Sequence, residues 1–306
     1  MSTEKNAKAY LALMSIYFVW GTTYLAIRIG VEDLPPVLFT GLRWFAAGPI
    51  LFLILLLQKY KLPDKKDLIH LGISGLFMLG GGNGFVVFAE QWIPSGLTAL
   101  LITTVPFWIV GLDALLPHGK KMNLKIVTGL VLGLCGVILI FGEDFKLLLN
   151  PNYLGGVLGL MAAVFLWSAG TLYSKYKKVS VQPLMGASIQ MIIAGSVITI
   201  FGLVLGETGE FHFTQSSLYA YLYLVFVGSI IGYGSYIYAI AHLPVSLVAT
   251  YAYVNPIIAL FLGWLILGEK ISIWIMVAAV VILIGVMIVK KGSDKPADIV
   301  KAEPAE

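Results

Sequence analysis

The chain has 306 residues, of which 59% are hydrophobic and only 12% charged, with a mean hydropathy of +0.92. That charged fraction is about half that of an ordinary soluble protein and marks an integral membrane protein. The net charge of +4 is dispersed over short loops without interleaved aromatics, which gives no case for nucleic-acid binding, and the single cysteine, Cys135, excludes an intrachain disulfide.

A helical crossing needs roughly 20 mostly apolar residues. About ten stretches qualify: 8–29, 36–57, 68–89, 94–115, 124–142, 153–173, 183–205, 217–240, 244–267 and 271–290. The first follows Lys5 and Lys8 as a secretory signal would, but it is too long and ends on Arg28-Ile29-Gly30 rather than a small-x-small cleavage site, so it reads as a retained helix. Trp20 stands near its middle, whereas tryptophan collects at membrane interfaces. With Thr23 and Tyr24 it forms one face, which suits a cavity wall or ordinary aromatic packing.

The second stretch carries Arg43 about seven residues in, near 10 Å deep at 1.5 Å per residue. A charge at mid-depth costs roughly 2.5–3.5 kcal/mol on insertion scales. Arg43 therefore either attracts a carboxylate-bearing solute, pairs with an acidic gate residue, or snorkels structurally. In the third stretch Asn83, Val87 and Glu90 share a face by i, i+4, i+7 spacing, a stripe placed to line the cavity, with Asn83 and Glu90 as candidate solute-binding residues. If the second and third helices adjoin, Glu90 meets Arg43 in a pair that protonation would break; a solvated interfacial carboxylate is the alternative. The Gly80-Gly81-Gly82-Asn83-Gly84 run lacks the lysine and preceding strand of a phosphate loop, and reads as permitting close helix approach.

Pro106 and Pro256 interrupt the fourth and ninth stretches at equivalent places, where each removes a backbone donor and kinks the helix; both are candidate hinges that leave carbonyls available to a ligand. Asp113, close to the end of the fourth stretch, reads as an interfacial salt-bridge partner. Gly129 with Gly133 and Gly155 with Gly159 match small-xxx-small packing. Trp167, Thr171 and Ser174 in the sixth stretch share a face as Trp20, Thr23 and Tyr24 do in the first. Trp108, Gln190, Tyr233, Tyr236, Tyr251 and Asn255 complete the candidate solute-binding set. His70, His118, His212 and His242 are scattered without metal-ligand spacing, so neither a metal nor a cofactor is expected.

The chain is a duplication. Trp20, Pro36, Ala47 and Gly48 return 147 positions later as Trp167, Pro183, Ala194 and Gly195, and Gly82, Gly84, Pro94, Pro106 and Lys120 return 150 positions later as Gly232, Gly234, Pro244, Pro256 and Lys270. Arg43 is matched by Gln190, so the two copies are chemically unequal there. Five crossings per copy force the second to enter the bilayer upside down, an arrangement associated with secondary transporters. The expected units are 1–148, 149–291 and a polar, disordered tail at 292–306. Lysines cluster in alternate connections, at Lys59 to Lys66, Lys120 to Lys125, Lys175 to Lys178 and Lys290 to Lys295, while Glu32, Asp33, Glu90, Glu207 and Glu210 occupy the others. By the positive-inside rule both termini face the cytoplasm.

Trp20-Gly21-x-x-Tyr24, Arg43-Trp44-x-Ala46-Ala47, Glu90-Gln91-Trp92-Ile93-Pro94-Ser95-Gly96 and Asn255-Pro256 with Gly268-Glu269-Lys270 together resemble EamA-type permeases of the drug/metabolite transporter superfamily. His118-Gly119-Lys120 in the first copy departs from Gly268-Glu269-Lys270 in the second. The resemblance runs across nearly the whole chain and implies a ten-helix inner-membrane permease, often an exporter of amino acids, other small metabolites or amphipathic compounds.

The expected architecture is all-α: ten transmembrane helices as two inverted five-helix repeats around a central cavity. Its expected partners are a small-molecule solute and the lipid bilayer, as a monomer or homodimer. Without a nucleotide-binding motif, transport would run on a gradient, on exchange or on the solute's own concentration difference. Exchange of phosphorylated or nucleotide-linked sugars would want several intramembrane basic residues, whereas Arg43 is the only clear one. A membrane enzyme acting on lipids would need a cluster of acids, histidines or a nucleophile with its base at one interface, and no such constellation is visible.

Overall fold

In the computed structural model, residues 3–116, 123–140, 149–177, 179–243, 245–248 and 251–293 are described. The turn at His118-Gly119-Lys120, the Glu143-Asp144 connection and residues 294–306 of the expected tail lie outside them. Ten crossings fall close to the apolar stretches of the sequence. They are α1 (Thr3–Gly30), α2 (Pro36–Leu57), α3 (Lys65–Ala89), α4 (Ser95–Leu115), α5 (Leu124–Ile140), α6 (Pro151–Tyr176), α7 (Pro183–Val204), α8 (Gln215–His242), α9 (Val245–Val248 and Tyr251–Leu267) and α10 (Ile273–Ser293). The last helix runs through Gly292 and Ser293, so the tail begins later than the polar composition suggests. Among the described residues seven helices are long and apolar enough to cross a membrane, and the fifth, ninth and tenth crossings contain shorter apolar helices. Leu11, Phe18, Leu53, Ile200, Phe261 and Val280 are exposed on the outside of the bundle, as a lipid-facing belt requires.

Packing follows the duplication. The second helix of each repeat packs on its counterpart, α2 on α7, and the fifth does likewise, α5 on α10. The first helix of each repeat instead packs on the third and fourth of the other: α1 on α8 and α9, α6 on α3 and α4. The α2–α7 crossing is tight because its glycines are repeat equivalents: a Cβ on Gly48 would stand 2.7 Å from the Ile192 nitrogen, and one on Gly195 would collide with the backbone of Phe45. Of the expected small-residue pairs, Gly129 and Gly133 do meet neighbours, the first against Gly285 and the second against Phe107. Gly155 faces open space, and Gly156 takes the contact instead, against Ile93.

Helix starts are held from across the bundle. The Glu207 carboxylate accepts from Val37 and Leu38 N–H at the start of α2, and Glu269 accepts from Ser95 N–H, Ser95 Oγ–H and Gly96 N–H at the start of α4. Both satisfy donors that a helix N-terminus leaves unpaired.

Two of the helices are not α-helical throughout. α3 is π-helical from Leu76 to Asn83, and α8 from Leu224 to Tyr233. The two segments end on equivalent residues, since 233 − 83 = 150. α4 is broken at Thr103 and Thr104, between Ser95–Ile102 and Val105–Leu115. Pro106 sits just inside the second half, where its missing N–H costs nothing. The Leu100 and Leu101 carbonyls accept from both the backbone N–H and the hydroxyl of Thr103 and Thr104 respectively, while the carbonyl that Pro106 deprives of its helical donor is that of Ile102. Pro256 lies inside the continuous Tyr251–Leu267 helix.

Candidate functional site

A central cavity of about 60 Å³ lies where α1, α2, α3, α4, α6 and α9 converge, room for a few water-sized groups. Seven of the expected solute-binding residues line it: Trp20, Thr23, Tyr24, Arg43, Asn83, Trp167 and Tyr251. Ile102 and Val105, on either side of the α4 break, complete the wall with Trp44, Gly82, Val86 and the small face of α6 at Ala163 and Val164.

The two tryptophans meet at the repeat interface. Their rings stand edge-to-face with centroids 5.5 Å apart. Each also lies against the glycine of the opposite repeat: a Cβ on Gly232 would be 2.7 Å from Trp20 Nε1, and one on Gly82 would be 3.0 Å from the Trp167 ring. Tyr236 and Tyr251 close the cluster, with centroids 5.0 and 5.2 Å from Trp20. The glycine run of α3 and its copy in α8 therefore admit aromatic rings.

Arg43 is 2% exposed. Its Nε donates to Ser229 Oγ on α8 at 2.8 Å, and its guanidinium carbon stands 4.4 Å from the Trp44 ring centroid. Nη1 has no hydrogen-bond partner. The same holds for Trp44 Nε1 and Asn83 Oδ1, so two donors and one acceptor belonging to the cavity wall are buried and unused, while Trp167 Nε1 is within reach of the Tyr236 and Tyr251 hydroxyls. Buried polar atoms are nearly always hydrogen-bonded, and such a cluster needs an explanation.

The expected Arg43–Glu90 pair is not formed: Arg43 uses Ser229, and neither Glu90 oxygen has a hydrogen-bond partner. Glu90 is fully buried just past the end of α3, one helical turn beyond Val86, and Arg28 donates to its backbone carbonyl. Val86 rather than Val87 lines the cavity. The π segment adds residues to the turn ahead of them, which shifts the face that plain α spacing assigns.

The equivalent place in the second repeat is filled. Gln190 stands for Arg43 and Tyr233 for Asn83. Tyr233 is completely buried and donates to Gln190 Oε1 at 2.8 Å, while Gln190 Nε2 donates to Ser74 Oγ at 2.8 Å. The counterparts of Arg43 and Asn83 are satisfied here, which places the cavity off the axis between the repeats.

Gln190 and Thr171 do not reach the central cavity. They floor a vestibule of about 420 Å³ that opens on the lysine-rich face beside Lys175 and Lys177, with His70 and Ser74 on its wall. Between vestibule and cavity stand two tyrosines. Tyr233 bonds Gln190 on one side while its ring lies 5.7 Å from that of Trp44 on the other. Tyr236 shares a 3.1 Å hydrogen bond with Thr171 and packs on Trp20 and Trp167. A third hollow, about 480 Å³, lies on the acidic face among Glu32, Asp33, Glu207 and Glu210.

Two expected site residues lie elsewhere. Trp108 packs edge-on against Phe165. Asn255 is buried with its amide donating to the Tyr17 and Tyr251 carbonyls, which ties α9 to α1. Sequence reasoning missed Trp44 and Ser229 in the site, although Trp44 is the immediate neighbour of Arg43. Asp113 forms the expected interfacial salt bridge, with Lys175 at 3.2 Å. Among the described residues no group of three or more His, Cys, Asp or Glu side chains could hold a metal ion.

Comparison with known proteins agrees with this architecture. The model of the EamA-like transporter family matches twice, over residues 7–142 and 154–290. The chain is 36% identical over 282 residues to the "Uncharacterized inner membrane transporter YedA" of Escherichia coli K12, covering 92% of this chain and 90% of that protein. It is 27% identical over 293 residues to the "Probable amino-acid metabolite efflux pump" of Salmonella typhimurium LT2, covering 91% and 93%. A solved crystal structure aligns with a TM-score of 0.68 at 20% identity, over 95% of this chain and 99% of that one, and so shares the fold. Two tandem family matches, each spanning five helices, settle the classification: the chain is a member of the EamA-like transporter family.

Proposed function

We propose that this transporter exports amino acids or other small amphipathic metabolites across the inner (plasma) membrane by alternating access, with both termini in the cytoplasm. The observation that carries this reading is the set of unused polar atoms at the central cavity: Arg43 Nη1, Trp44 Nε1 and Asn83 Oδ1. A carboxylate matches the two donors, and an arginine in a dry aromatic setting binds one with charge-assisted hydrogen bonds. The Asn83 oxygen suits a donor on the same solute, such as an ammonium or hydroxyl. The aromatic wall suits its apolar part.

The lysine-rich face is then the cytoplasmic one, and the 420 Å³ vestibule is the entrance for solute. Tyr233 and Tyr236 separate it from the cavity, and release of their bonds to Gln190 and Thr171 joins the two. On the acidic face Phe39, Tyr221 and the Glu207-capped start of α2 close the route. The names of relatives point the same way, one an inner membrane transporter and one an amino-acid metabolite efflux pump.

The test is uptake and efflux in proteoliposomes, screened over amino acids, sugars and aromatic cations. Saturable flux of a carboxylate-bearing solute, lost in Arg43→Gln, is the expected result. Flux confined to solutes without a carboxylate would overturn the assignment of Arg43, and no flux of any solute would count against the substrate class.

A further inference from the structure

Among the described residues Glu90 is the most deeply buried charged group, and the solute site does not use it. Its side chain is 0% exposed, and neither carboxylate oxygen has a hydrogen-bond partner. An ionised carboxylate without donors is among the most expensive groups to bury. The groups facing it come from four elements. α1 supplies Tyr24 and Arg28, and Arg28 spends a donor on the Glu90 backbone carbonyl rather than on its carboxylate. α2 supplies Arg43, the only charged residue of that helix. α6, which packs on Ala89 through Gly156, has Tyr153 as its one titratable group at this end. The α9–α10 turn supplies Glu269, held by Ser95 and Gly96. Burial pushes the Glu90 carboxyl well above the ordinary carboxylate range; Glu269 adds to this, and Arg28 and Arg43 oppose it.

We propose that Glu90 is a proton-coupling site, which holds a proton while a carboxylate-bearing solute occupies Arg43 and releases it when Arg43 is empty. The inference rests on the carboxylate reading of Arg43 given above. Its sign follows from charge. With Glu90 neutral, Arg43 presents a full positive charge and an unused N–H to the solute. With Glu90 ionised, the guanidinium has an anionic competitor one turn from the cavity wall, and the solute carboxylate is repelled. Proton and solute therefore strengthen each other's binding, and by linkage the effect is reciprocal. One proton enters and leaves the site with each solute, so both travel in the same direction, and export runs where the outward solute gradient exceeds the inward proton gradient.

The experiment combines two measurements on purified protein. Infrared pH titration of wild type minus Glu90→Gln is expected to show the carbonyl band of a neutral buried carboxylic acid that titrates above the ordinary carboxylate range; no such band overturns the proposal. In proteoliposomes loaded with a pH dye and given an equimolar mixture of the twenty protein amino acids, wild type is expected to move protons with solute. Its apparent solute affinity is expected to fall about tenfold per pH unit above the Glu90 midpoint. Glu90→Gln is expected to keep solute counterflow while losing both the proton movement and the pH dependence. Wild-type solute flux without protons, or proton flux retained in Glu90→Gln, overturns the coupling and leaves the transport reading intact. Absence of any amino-acid flux defeats the amino-acid form of the transport reading, and the coupling with it.

Discussion

Asp67 accepts hydrogen bonds from the backbone and side chain of Ser180, at 3.0 and 2.5 Å, and the same contact recurs on the opposite face of the protein with the roles exchanged. There Thr214 donates to Asp33 at 2.5 Å. The four residues are two pairs of repeat equivalents, since 180 − 33 = 147 and 214 − 67 = 147. Each bond ties the connection between the first two helices of one repeat to the start of the third helix of the other. Five crossings separate equivalent positions, so the two ties belong to opposite membrane faces. An impermeant maleimide added to intact cells is expected to label Asp33→Cys, and to label Ser180→Cys only after permeabilisation, both in a Cys135→Ser background. Labelling of both from one side would contradict the inversion.

Arg43 has two tasks that one smaller cation cannot share. Its Nε holds Ser229, while Nη1 has no partner and on the proposed reading is kept for a solute. Truncating a buried, hydrogen-bonded charge partner costs about 2–5 kcal/mol, so Arg43→Gln is expected to weaken carboxylate-solute binding by two orders of magnitude or more. Arg43→Lys is expected to rescue little, because an ammonium lacks the planar fork. Competition binding against the transported solute measures both, and full activity of Arg43→Lys would show that charge alone suffices.

On the proposed route Tyr233 closes the passage from the vestibule, held by one hydrogen bond to Gln190. A neutral hydrogen bond contributes about 0.5–1.5 kcal/mol. Tyr233→Phe is therefore expected to speed thiol labelling of Ile102→Cys, added from the lysine-rich face, by about two- to tenfold. An unchanged rate would mean that the passage is governed by ring packing rather than by this bond.

Gly232 and Gly82 carry the opposing tryptophans. Overpacking a tight contact costs about 1–3 kcal/mol, and the nearer approach is at Gly232, 2.7 Å against 3.0 Å. Gly232→Ala is expected to lower the thermal midpoint in detergent more than Gly82→Ala does, and both are expected to slow transport. A Gly232→Ala protein as stable as wild type would show that Trp20 moves aside freely.

The crossings and the duplication were legible because apolar length and residue spacing survive without knowledge of packing. Trp20, Arg43 and Trp167 were legible as well, each being costly or unusual at mid-depth. The azimuth of side chains was less so. The π segments of α3 and α8 leave no mark in composition beyond their glycines, and they exchange Val87 for Val86 at the cavity. Asn255 and Trp108 stand out in the sequence as polar or aromatic in an apolar helix, but Asn255 binds backbone carbonyls and Trp108 packs on Phe165. Gln190 was recognised as the counterpart of Arg43, yet its depth in the vestibule depends on Tyr233 filling the space that Asn83 leaves open.

Protection of the cavity tests the account most directly. Ile102, on the wall beside the α4 break, is replaced by cysteine in the Cys135→Ser background, and labelling is followed separately from each face with and without a transported solute. The account predicts labelling from both faces and slowing from both by the solute. Labelling that no transported solute slows from either face would contradict it.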